Sequence, residues 1–232
     1  MIDHDCDNDV SKLLNPCIEE LLSYNDLLNR VIKVEESFHD ILRKIKSGEK
    51  SDGKPPYNLS SWADMQMIYQ LPNKEFIYEF AHQIKKIKPD IILEVGAGKG
   101  IICKHLSKIL DKKIILTDSY DWWNYNDADV LKRTYQEAIE EFKPDLIIVS
   151  WIPYHENWSK DFRKYPFVKG YIIIGEKRGG ATGCDKDWKT DWKIQNLNNV
   201  TKYGICKTDY GCFIKDSLVW LRHSNVTYFE RS

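Results

Sequence analysis

The spacing of hydrophobic residues changes near Lys88 from a helical period to short continuous runs. Upstream of this point, apolar residues recur at helical spacing over residues 16–46 and 74–87, and an asparagine suited to a helix N-cap precedes each segment. A shorter helix is predicted from Ser61 to Tyr69. We therefore expect an N-terminal helical segment, either one long helix or a helical hairpin, followed by shorter helices.

Downstream of Lys88 the chain contains four short runs that are almost continuously apolar: IILEV, KIILTD, LIIVSW and YIIIGE. Such runs are typical of parallel strands buried on both faces. Helical patterns separate them at residues 101–110, 135–142 and 159–165. The alternation predicts an α/β fold with a doubly wound, mostly parallel sheet. Near the C-terminus, TKYGICKTD and SLVWLRHSNVTYFE are interpreted as an antiparallel closing pair of strands.

A stretch rich in glycine, proline and charge at residues 47–58 separates these two parts of the chain. We expect an acidic arm with amphipathic helices over residues 1–58 and a second domain, which contains the sheet, over residues 59–232. The N-terminal helix could cover the site of that domain or mediate oligomerisation, and the pattern of residues leaves both open.

Composition limits the classes of function. The 232 residues carry a net charge of −1, so the chain lacks the bulk basic charge that dominates nucleic-acid affinity, although a local basic patch is compatible with it. The N-terminus is acidic and polar, unlike a secretory signal, and no apolar run approaches the roughly 20 residues that span a bilayer. We expect a cytoplasmic protein without a membrane partner. Its six cysteines form no CxxC pair, which is unlike a structural zinc site.

The tripeptide Lys-Pro-Asp occurs twice, within residues 87–100 and 142–154. Because proline blocks the continuation of a helix, each copy predicts a connection from a helix into a buried strand. Ligands of open α/β sheets bind beyond the carboxyl ends of the strands, where the strand order reverses. The residues that follow the two strands are therefore expected at the functional edge of the sheet.

The first of these strands ends in EVGAGKG. Its glycines allow positive φ angles and a close approach of a ligand to the backbone, and a helix follows at once. The spacing is GxGxG rather than the GxGxxG of dinucleotide-binding proteins, which disfavours NAD. The second strand ends at Asp118, where an acid is placed to accept hydrogen bonds from ribose hydroxyls.

The motifs ILEVGAGKG and IILTD together resemble those of the Rossmann-like, class I S-adenosylmethionine-dependent methyltransferases. The resemblance covers roughly residues 73–220 and implies S-adenosylmethionine as the cofactor. It implies that residues at the ends of the first four strands bind this cofactor: Glu94, Gly96, Ala97, Gly98, Gly100, Asp118, Ser119, Thr134, Tyr135, Ser150 and Trp151.

The adenine contacts implied by the resemblance fall near the third strand, which we predict within DVLKRTYQEAI. This prediction places Thr134 and Tyr135 at the end of the strand, whereas Asp127 or Asp129 would take that place if the strand is shorter. Aromatic residues that follow the second strand could stack on the adenine or cap the sheet edge: Tyr120, Trp122 and Trp123.

In this family the loop after the fourth strand, here SWIPY, faces the methyl group and the acceptor. It matches only in part the Asp/Asn/Ser-Pro-Pro-aromatic motif of enzymes that methylate nucleic-acid bases. Ser150 stands where metal-dependent relatives carry an acid, which argues against a catalytic metal. The predicted catalytic residues are Tyr154, His155 and Glu176. The candidates for a general base are His155, Glu156, Glu176, Asp185 and Asp187.

The sequence thus predicts a methyltransferase that acts on a small molecule by in-line methyl transfer. The near-neutral charge and the aromatic-rich loops favour an enclosed apolar pocket for such an acceptor. The alternatives are a nucleic-acid or protein methyltransferase and a methyltransferase-like protein that binds without catalysis. Some residues before the first strand lie where class I enzymes often place a lid helix, and could contact cofactor or substrate: Trp62, Tyr69, Asn73 and Lys74.

Overall fold

The computed structural model describes residues 21–30, 60, 63, 68–120, 128–177, 180–214 and 217–232. The strands are β1 Gln70–Leu71, β2 Ile92–Val95, β3 Ile114–Asp118, β4 Leu131–Lys132, β5 Leu146–Ser150, β6 Gly170–Gly175, β7 Lys193–Asn196, β8 Ile205–Cys206, β9 Tyr210–Ile214, β10 Ser217–Leu221 and β11 Asn225–Glu230. The helices are α1 Lys74–Ile87, α2 Ile101–Leu110, α3 Tyr135–Phe142, α4 Ser159–Phe162 and α5 Asn198–Thr201, with a 3-10 turn at Asp185–Asp187. Residues 24–30 are also helical.

A seven-stranded sheet of order β4-β3-β2-β5-β6-β11-β7 forms the centre of the structure. The five strands from β4 to β6 are parallel, and β11 runs antiparallel to both of its neighbours. The chain builds outward from β2 to β4 on one side and then returns to add β5 and β6 on the other. The predicted Rossmann-like, doubly wound α/β fold with an antiparallel C-terminal strand is confirmed, and the strand order reverses between β2 and β5.

Both faces of the sheet are buried, as the continuous apolar runs predicted. Residues of β2 pack into two hydrophobic clusters, one on each face of the sheet. Ile92 packs with α1 and α2 on one face, while Leu93 and Val95 pack with α3 and β6 on the other. Every residue of β2 and β6 is buried. Burial of each large apolar side chain contributes about 1.5–3 kcal/mol, so these two layers are the main stabilising feature of the described structure.

The predicted helices α1, α2 and α3 begin and end where the sequence signals stand. Asn73 caps α1 by accepting a hydrogen bond from the Phe76 N–H at 2.9 Å. Thr134 and Glu137 form a capping box at the start of α3. The predicted helix at 159–165 is shorter than expected, because α4 ends at Phe162 and turns follow it.

Each Lys-Pro-Asp copy connects the end of a helix to the start of a strand. Lys88 and Lys143 adopt left-handed conformations, with φ of 54° and 46°, and their N–H groups bond to the carbonyls of Ile84 and Ile139. The following proline cannot continue the helix, so the chain enters β2 or β5 directly.

Three local expectations are wrong. The third strand does not reach Thr134, because β4 is only two residues long and Thr134 caps the next helix. The short helix predicted to Tyr69 ends earlier: Ile68 and Tyr69 are not helical, and the Ile68 N–H bonds back to the Ala63 carbonyl.

The third concerns the C-terminal strands, which do not pair with each other as expected. Within TKYGICKTD, β8 pairs with β1, and SLVWLRHSNVTYFE divides into β10, which pairs with β9, and β11, which joins the main sheet. The division occurs at His223, whose N–H bonds to the Asp209 carboxylate rather than to a neighbouring strand. Strand β7, which the sequence pattern did not predict, forms the edge of the sheet.

Residues 21–30 pack against the sheet domain. Leu21 joins the core beneath α1, and Leu27 packs with Ile68, Leu71 and Ile205. The predicted domain boundary near residue 58 and most of the predicted N-terminal helix lie outside the described residues. Every helix among the described residues is too short or too polar to cross a bilayer.

Candidate functional site

A cleft of about 770 Å³ opens at the carboxyl ends of β2, β3 and β5, where the strand order reverses. One side is formed by the loop after β2, the end of β3 and the start of α3. The other side is formed by the loop after β5, by residues 68–70 and by Lys207. The cleft therefore combines the two strand ends that the sequence placed at the functional edge with two segments distant in the chain.

The loop after β2 follows a path that requires glycine. Gly96, Gly98 and Gly100 all have φ angles between 53° and 63°, in the left-handed region that L side chains rarely adopt. A side chain on Gly100 would also approach Leu116 to 2.7 Å, whereas one on Gly98 would meet only open space. The backbone at Gly98 is therefore accessible to a ligand in the cleft.

Asp118 holds this glycine loop from the end of β3. Its carboxylate accepts hydrogen bonds from the Gly98 N–H at 2.8 Å and from the Tyr120 N–H at 2.7 Å. It also lines the cleft. Because each carboxylate oxygen has a second lone pair, Asp118 can brace the loop and still accept hydrogen bonds from hydroxyl groups of a ligand.

Glu94 is a buried carboxyl group in the floor of the cleft. Its side chain is 2% exposed, and burial raises its pKa to about 8, with the nearby Asp118 charge adding to the effect and a hydrogen bond with Cys103 opposing it. Its Oε2 has no hydrogen-bond partner among the described residues. At neutral pH this carboxyl is therefore mostly protonated, and a ligand cation beside it would favour its ionised form.

A pair of stacked aromatic rings forms the wall beside the glycine loop. Tyr135 and Trp158 stack with their centroids 4.5 Å apart, and the Tyr135 hydroxyl donates to Asp161 at 2.7 Å. The Trp158 ring lies so close to Gly96 that a Cβ there would approach it to 3.0 Å. Trp158 was not predicted from the sequence, because no pattern around residue 158 distinguishes it from a core tryptophan.

The opposite wall is built from Tyr69, Trp151 and Lys207. The rings of Tyr69 and Trp151 lie 5.9 Å apart, and the Lys207 Nζ lies 3.6 Å from the centroid of the Tyr69 ring. The Lys207 N–H also donates to the Tyr69 carbonyl at 2.8 Å. Lys207 was missed from the sequence, since its place depends on the pairing of β8 with β1.

Trp151 has a constrained position at the end of β5. Its φ is 61°, its side chain is 8% exposed, and its N–H donates to the Ile174 carbonyl at 2.8 Å. The indole Nε1–H has no hydrogen-bond partner among the described residues. A buried donor without a partner costs about 1–3 kcal/mol, so this ring carries an unsatisfied group next to the cleft.

The cleft brings together most of the residues predicted to bind the cofactor. Gly100 is the exception, because it packs against the core side of the loop. The predicted residues that line the cleft are Glu94, Gly96, Ala97, Gly98, Asp118, Ser119, Thr134, Tyr135, Ser150 and Trp151.

The predicted catalytic residues are more dispersed. Tyr154 lines the cleft and is 58% exposed. The exposed His155 contacts the Tyr154 ring, with the two ring centroids 3.8 Å apart, but His155 does not line the cleft. Glu176 lies away from the lining, where its carboxylate accepts hydrogen bonds from the Ala181 N–H and the Thr208 hydroxyl. Glu156, the remaining candidate in this loop, lines the cleft.

Several other predicted residues have structural partners instead. The Asp187 carboxylate is buried and accepts hydrogen bonds from the Ser159 and Cys184 N–H groups. Asp129 forms an ion pair with Lys104, with the nitrogen and oxygen 3.5 Å apart. Asn73 and Lys74 do not line the cleft. Four further predicted residues lie outside the part of the chain that the structure describes: Trp62, Trp122, Trp123 and Asp127. The described residues contain no group of three or more His, Cys, Asp and Glu side chains that could hold a metal ion.

Comparisons with protein-family models and with curated protein sequences find no match. Solved structures similar to this chain include human N-acetylserotonin methyltransferase in complex with SAM, at 9% identity over 75% of this chain and 54% of that chain, with a TM-score of 0.37. PigF with SAH gives 12% identity over 75% and 59%, with a TM-score of 0.37. The plantazolicin methyltransferase BpumL in complex with SAH gives 11% identity over 90% and 98%, with a TM-score of 0.39. The chain thus spans little more than half the length of the first two proteins.

Proposed function

We propose that the protein is an S-adenosylmethionine-dependent methyltransferase that acts on a small-molecule acceptor. The observation that carries the proposal is the connection between the glycine loop and Asp118. A loop with three left-handed glycines is hydrogen-bonded to the acid at the end of the next strand, and both border a cleft where the strand order reverses. This arrangement suits a ligand with a cationic group at one end and ribose hydroxyls in the middle.

Each part of the cofactor has a complementary group in the cleft. Asp118 would accept hydrogen bonds from the ribose hydroxyls, and the unpartnered oxygen of Glu94 would attract the positively charged methionine end. The stacked rings of Tyr135 and Trp158 offer a flat face at the start of α3, which suits the adenine. The reactive methyl group would then lie toward Ser150 and Trp151, at the end of β5.

Bound S-adenosylmethionine would supply an electrophilic methyl group: as a lone pair of the acceptor bonds to the methyl carbon, the carbon–sulfur bond breaks and its electron pair remains on the sulfur. The protein would contribute mainly alignment of the two reactants. An acceptor hydroxyl or amine also loses a proton. We propose that the carboxylate of Glu156, which lines the cleft, receives this proton, with the imidazole of His155 as the next candidate, and that the Tyr154 hydroxyl orients the acceptor by a hydrogen bond. Glu176 would act by holding the loop that contains Ala181.

The experiment that tests the cofactor assignment is calorimetric titration with S-adenosylmethionine and S-adenosylhomocysteine. We expect the wild-type protein to bind both, and Asp118→Ala to weaken binding at least tenfold, which corresponds to about 1.4 kcal/mol. Asp90→Ala is the matched control, since Asp90 lies at the opposite edge of the sheet and does not line the cleft. Absence of binding by the wild-type protein, or equal affinity in the Asp118 variant, would refute the assignment.

Methyl transfer itself needs a separate measurement. Formation of S-adenosylhomocysteine in the presence of a library of small aromatic acceptors would support catalysis, and Tyr154→Phe should lower kcat more than it changes cofactor affinity. Cofactor binding without turnover across such a library would instead favour a non-catalytic binding protein. Preferred turnover with RNA, and strong salt dependence of RNA binding, would favour a nucleic-acid substrate.

A further inference from the structure

The edge of the sheet opposite the cleft, where the parallel strands begin, is rich in lysine. Helix α1 leads into β2 and α2 leads into β3, so the C-terminal ends of both helices lie at this edge. Strands β2 and β3 pair from Ile92 and Ile114 onward, which places the two helix-to-strand connectors side by side. The ends of the two helices and their connectors carry six lysines, which form the basic edge: Lys85, Lys86, Lys88, Lys108, Lys112 and Lys113.

Hydrogen bonds hold the two connectors together. The Lys112 ammonium donates to the Pro89 carbonyl at 2.5 Å, and so joins the start of β3 to the start of β2. On the other side of β2, the Asp145 carboxylate accepts hydrogen bonds from the Asp90 and Ile91 N–H groups. The backbone that carries the lysines is therefore fixed before any partner binds, which lowers the entropic cost of binding.

The positive charge of the basic edge is only partly offset within the protein. All six lysines are exposed, and none of them forms an ion pair with a described residue. Within the same two segments the acidic residues are Asp90 and Asp111. The C-terminal end of each helix adds roughly half a negative charge, so positive charge remains in excess. Because the whole chain has a net charge of −1, this edge is a local concentration of positive charge.

The residue types at the basic edge indicate which polyanion it fits. Lysine ammonium groups are compact point charges, which bind phosphate oxygens without selecting a base. Residues 85–91 and 108–113 contain no aromatic side chain, whereas proteins that bind single strands stack the bases on aromatic rings. A duplex keeps its bases stacked inside and presents its phosphates outward, which matches this edge.

An anionic membrane is the other extended surface that clustered lysines attract. Ile91 is 40% exposed at this edge and is the large apolar side chain that could enter a lipid surface. Its chain neighbour Asp90 is also exposed, so insertion of Ile91 would bring a carboxylate against anionic headgroups and remove it from water. The observations therefore favour a nucleic acid over a membrane.

We propose that the basic edge binds the phosphate backbone of a nucleic-acid duplex without base specificity. The cleft opens at the carboxyl ends of the strands, so a duplex held where the strands begin leaves the cleft free. The bound duplex is therefore an anchor for the protein and not its methyl acceptor. This inference does not depend on the proposed function, because it uses residues at the opposite edge of the sheet.

The test is titration of the full chain into fluorescently labelled duplex DNA and duplex RNA of mixed sequence, followed by anisotropy at several salt concentrations. The wild-type protein should bind both duplexes, with an affinity that falls steeply as salt is added. A basic-edge variant with Lys86, Lys108 and Lys113 all changed to Gln should bind at least tenfold more weakly. The slope of log K against log salt should become smaller by about three, since each lysine that contacts a phosphate contributes about one. Arginine at the same three positions should retain binding, which separates loss of charge from loss of fold.

The matched control has Lys132, Lys160 and Lys186 changed to Gln, which removes the same charge from exposed lysines outside the basic edge. It should bind the duplexes as the wild-type protein does. No duplex binding by the wild-type protein at about 50 mM salt, equal losses in the two variants, or tighter binding of single strands would overturn the inference. Binding to phosphatidylserine vesicles but not to duplexes, lost in the basic-edge variant, would overturn it by assigning this edge to a membrane. Saturating S-adenosylhomocysteine should leave duplex affinity unchanged, and its failure to bind counts against the proposed function alone.

Discussion

The carboxyl group of Glu94 shows how one buried side chain can make the cleft sensitive to pH. It lies in a parallel strand that is buried on both faces, so water cannot stabilise its charge. Burial therefore raises its pKa to about 8, and one oxygen has no partner among the described residues. The sequence predicted Glu94 as a cofactor-binding residue, but the protonation of its carboxyl depends on burial that only the packed sheet creates.

The free energy of unfolding should fall as the pH rises between the ordinary pKa of a glutamate and the raised pKa of Glu94. Over this range Glu94 is protonated in the folded state and ionised in the unfolded state. Because the folded pKa of about 8 exceeds the ordinary value of 4.5, its contribution is fully present below pH 4.5 and is lost as the pH rises through 8. Denaturant unfolding of the free protein should show a decrease of about 2–4 kcal/mol from this group, absent in Glu94→Gln. Glu79→Gln, on α1, should retain the decrease, and an unchanged profile in the Glu94 variant would contradict the assignment.

At the scale of elements, the repeated Lys-Pro-Asp segments interact directly with each other. The Asp145 carboxylate, from the second copy, accepts hydrogen bonds from the N–H groups of Asp90 and Ile91 in the first, at 3.0 and 2.8 Å. These bonds fix the start of β2 beside the start of β5, in the register that pairs Ile92 with Leu146. The sequence predicted each copy as a connector but gave no sign that the two copies would be bonded together.

Asp145→Asn should destabilise the protein by about 1–3 kcal/mol, because an amide replaces a charged acceptor of two backbone N–H groups. Asp90→Asn alters the equivalent residue of the other copy, whose side chain makes no such contact, and should be nearly neutral. Denaturant unfolding of both variants checks the difference, and similar losses in the two would show that Asp145 does not brace the connectors.

The same carboxylate gives a prediction in acid. Burial alone would raise the pKa of Asp145, but the hydrogen bonds from Asp90 and Ile91 and the Lys169 ammonium hold it below its ordinary value. Its contribution is therefore present above pH 3.8 and is lost as the pH falls through the lower folded pKa. The stability difference between wild type and Asp145→Asn should shrink as the pH is lowered below about 4, and a constant difference would argue against this origin.

At the scale of the whole molecule, the cleft depends on segments from both ends of the described chain. Strand β1 pairs with β8 and brings Tyr69 beside Lys207, and Leu27 packs beneath both strands against Ile68, Leu71 and Ile205. The N-terminal residues 24–30 therefore support the wall of the cleft that contains Tyr69 and Lys207. Their contribution to the site is through packing, since they do not line the cleft.

Leu27→Ala should lower the free energy of unfolding by about 2–4 kcal/mol, because Leu27 is 2% exposed and its removal leaves a cavity beneath β1 and β8. It should leave the affinity for S-adenosylhomocysteine nearly unchanged. Asn29→Ala, on the exposed side of the same helical stretch, should change stability by less than about 0.5 kcal/mol. A small effect of Leu27→Ala on the free energy of unfolding would show that this segment does not support the wall.

Much of the fold and half of the site followed from local patterns. Continuous apolar runs indicated the buried strands, asparagine caps indicated helix starts, and EVGAGKG indicated a loop with positive φ. The residues predicted to bind the cofactor line one cleft, apart from Gly100. The missed residues, Trp158 and Lys207, carry no local pattern that separates them from ordinary core or surface positions.

The sequence by itself determined the order of the buried parallel strands β2, β3, β5 and β6 and of the helices between them, the bend of the glycine loop and the edge of the sheet at which a ligand would bind, because these depend on neighbouring residues. The tertiary structure decided which distant segments complete the cleft: it placed Lys207 over Tyr69 and Trp158 beside Gly96, and it left Glu176 and His155 outside the lining. The physical reason is that strand pairing and side-chain burial between distant segments are settled by packing of the whole chain, which no local pattern encodes.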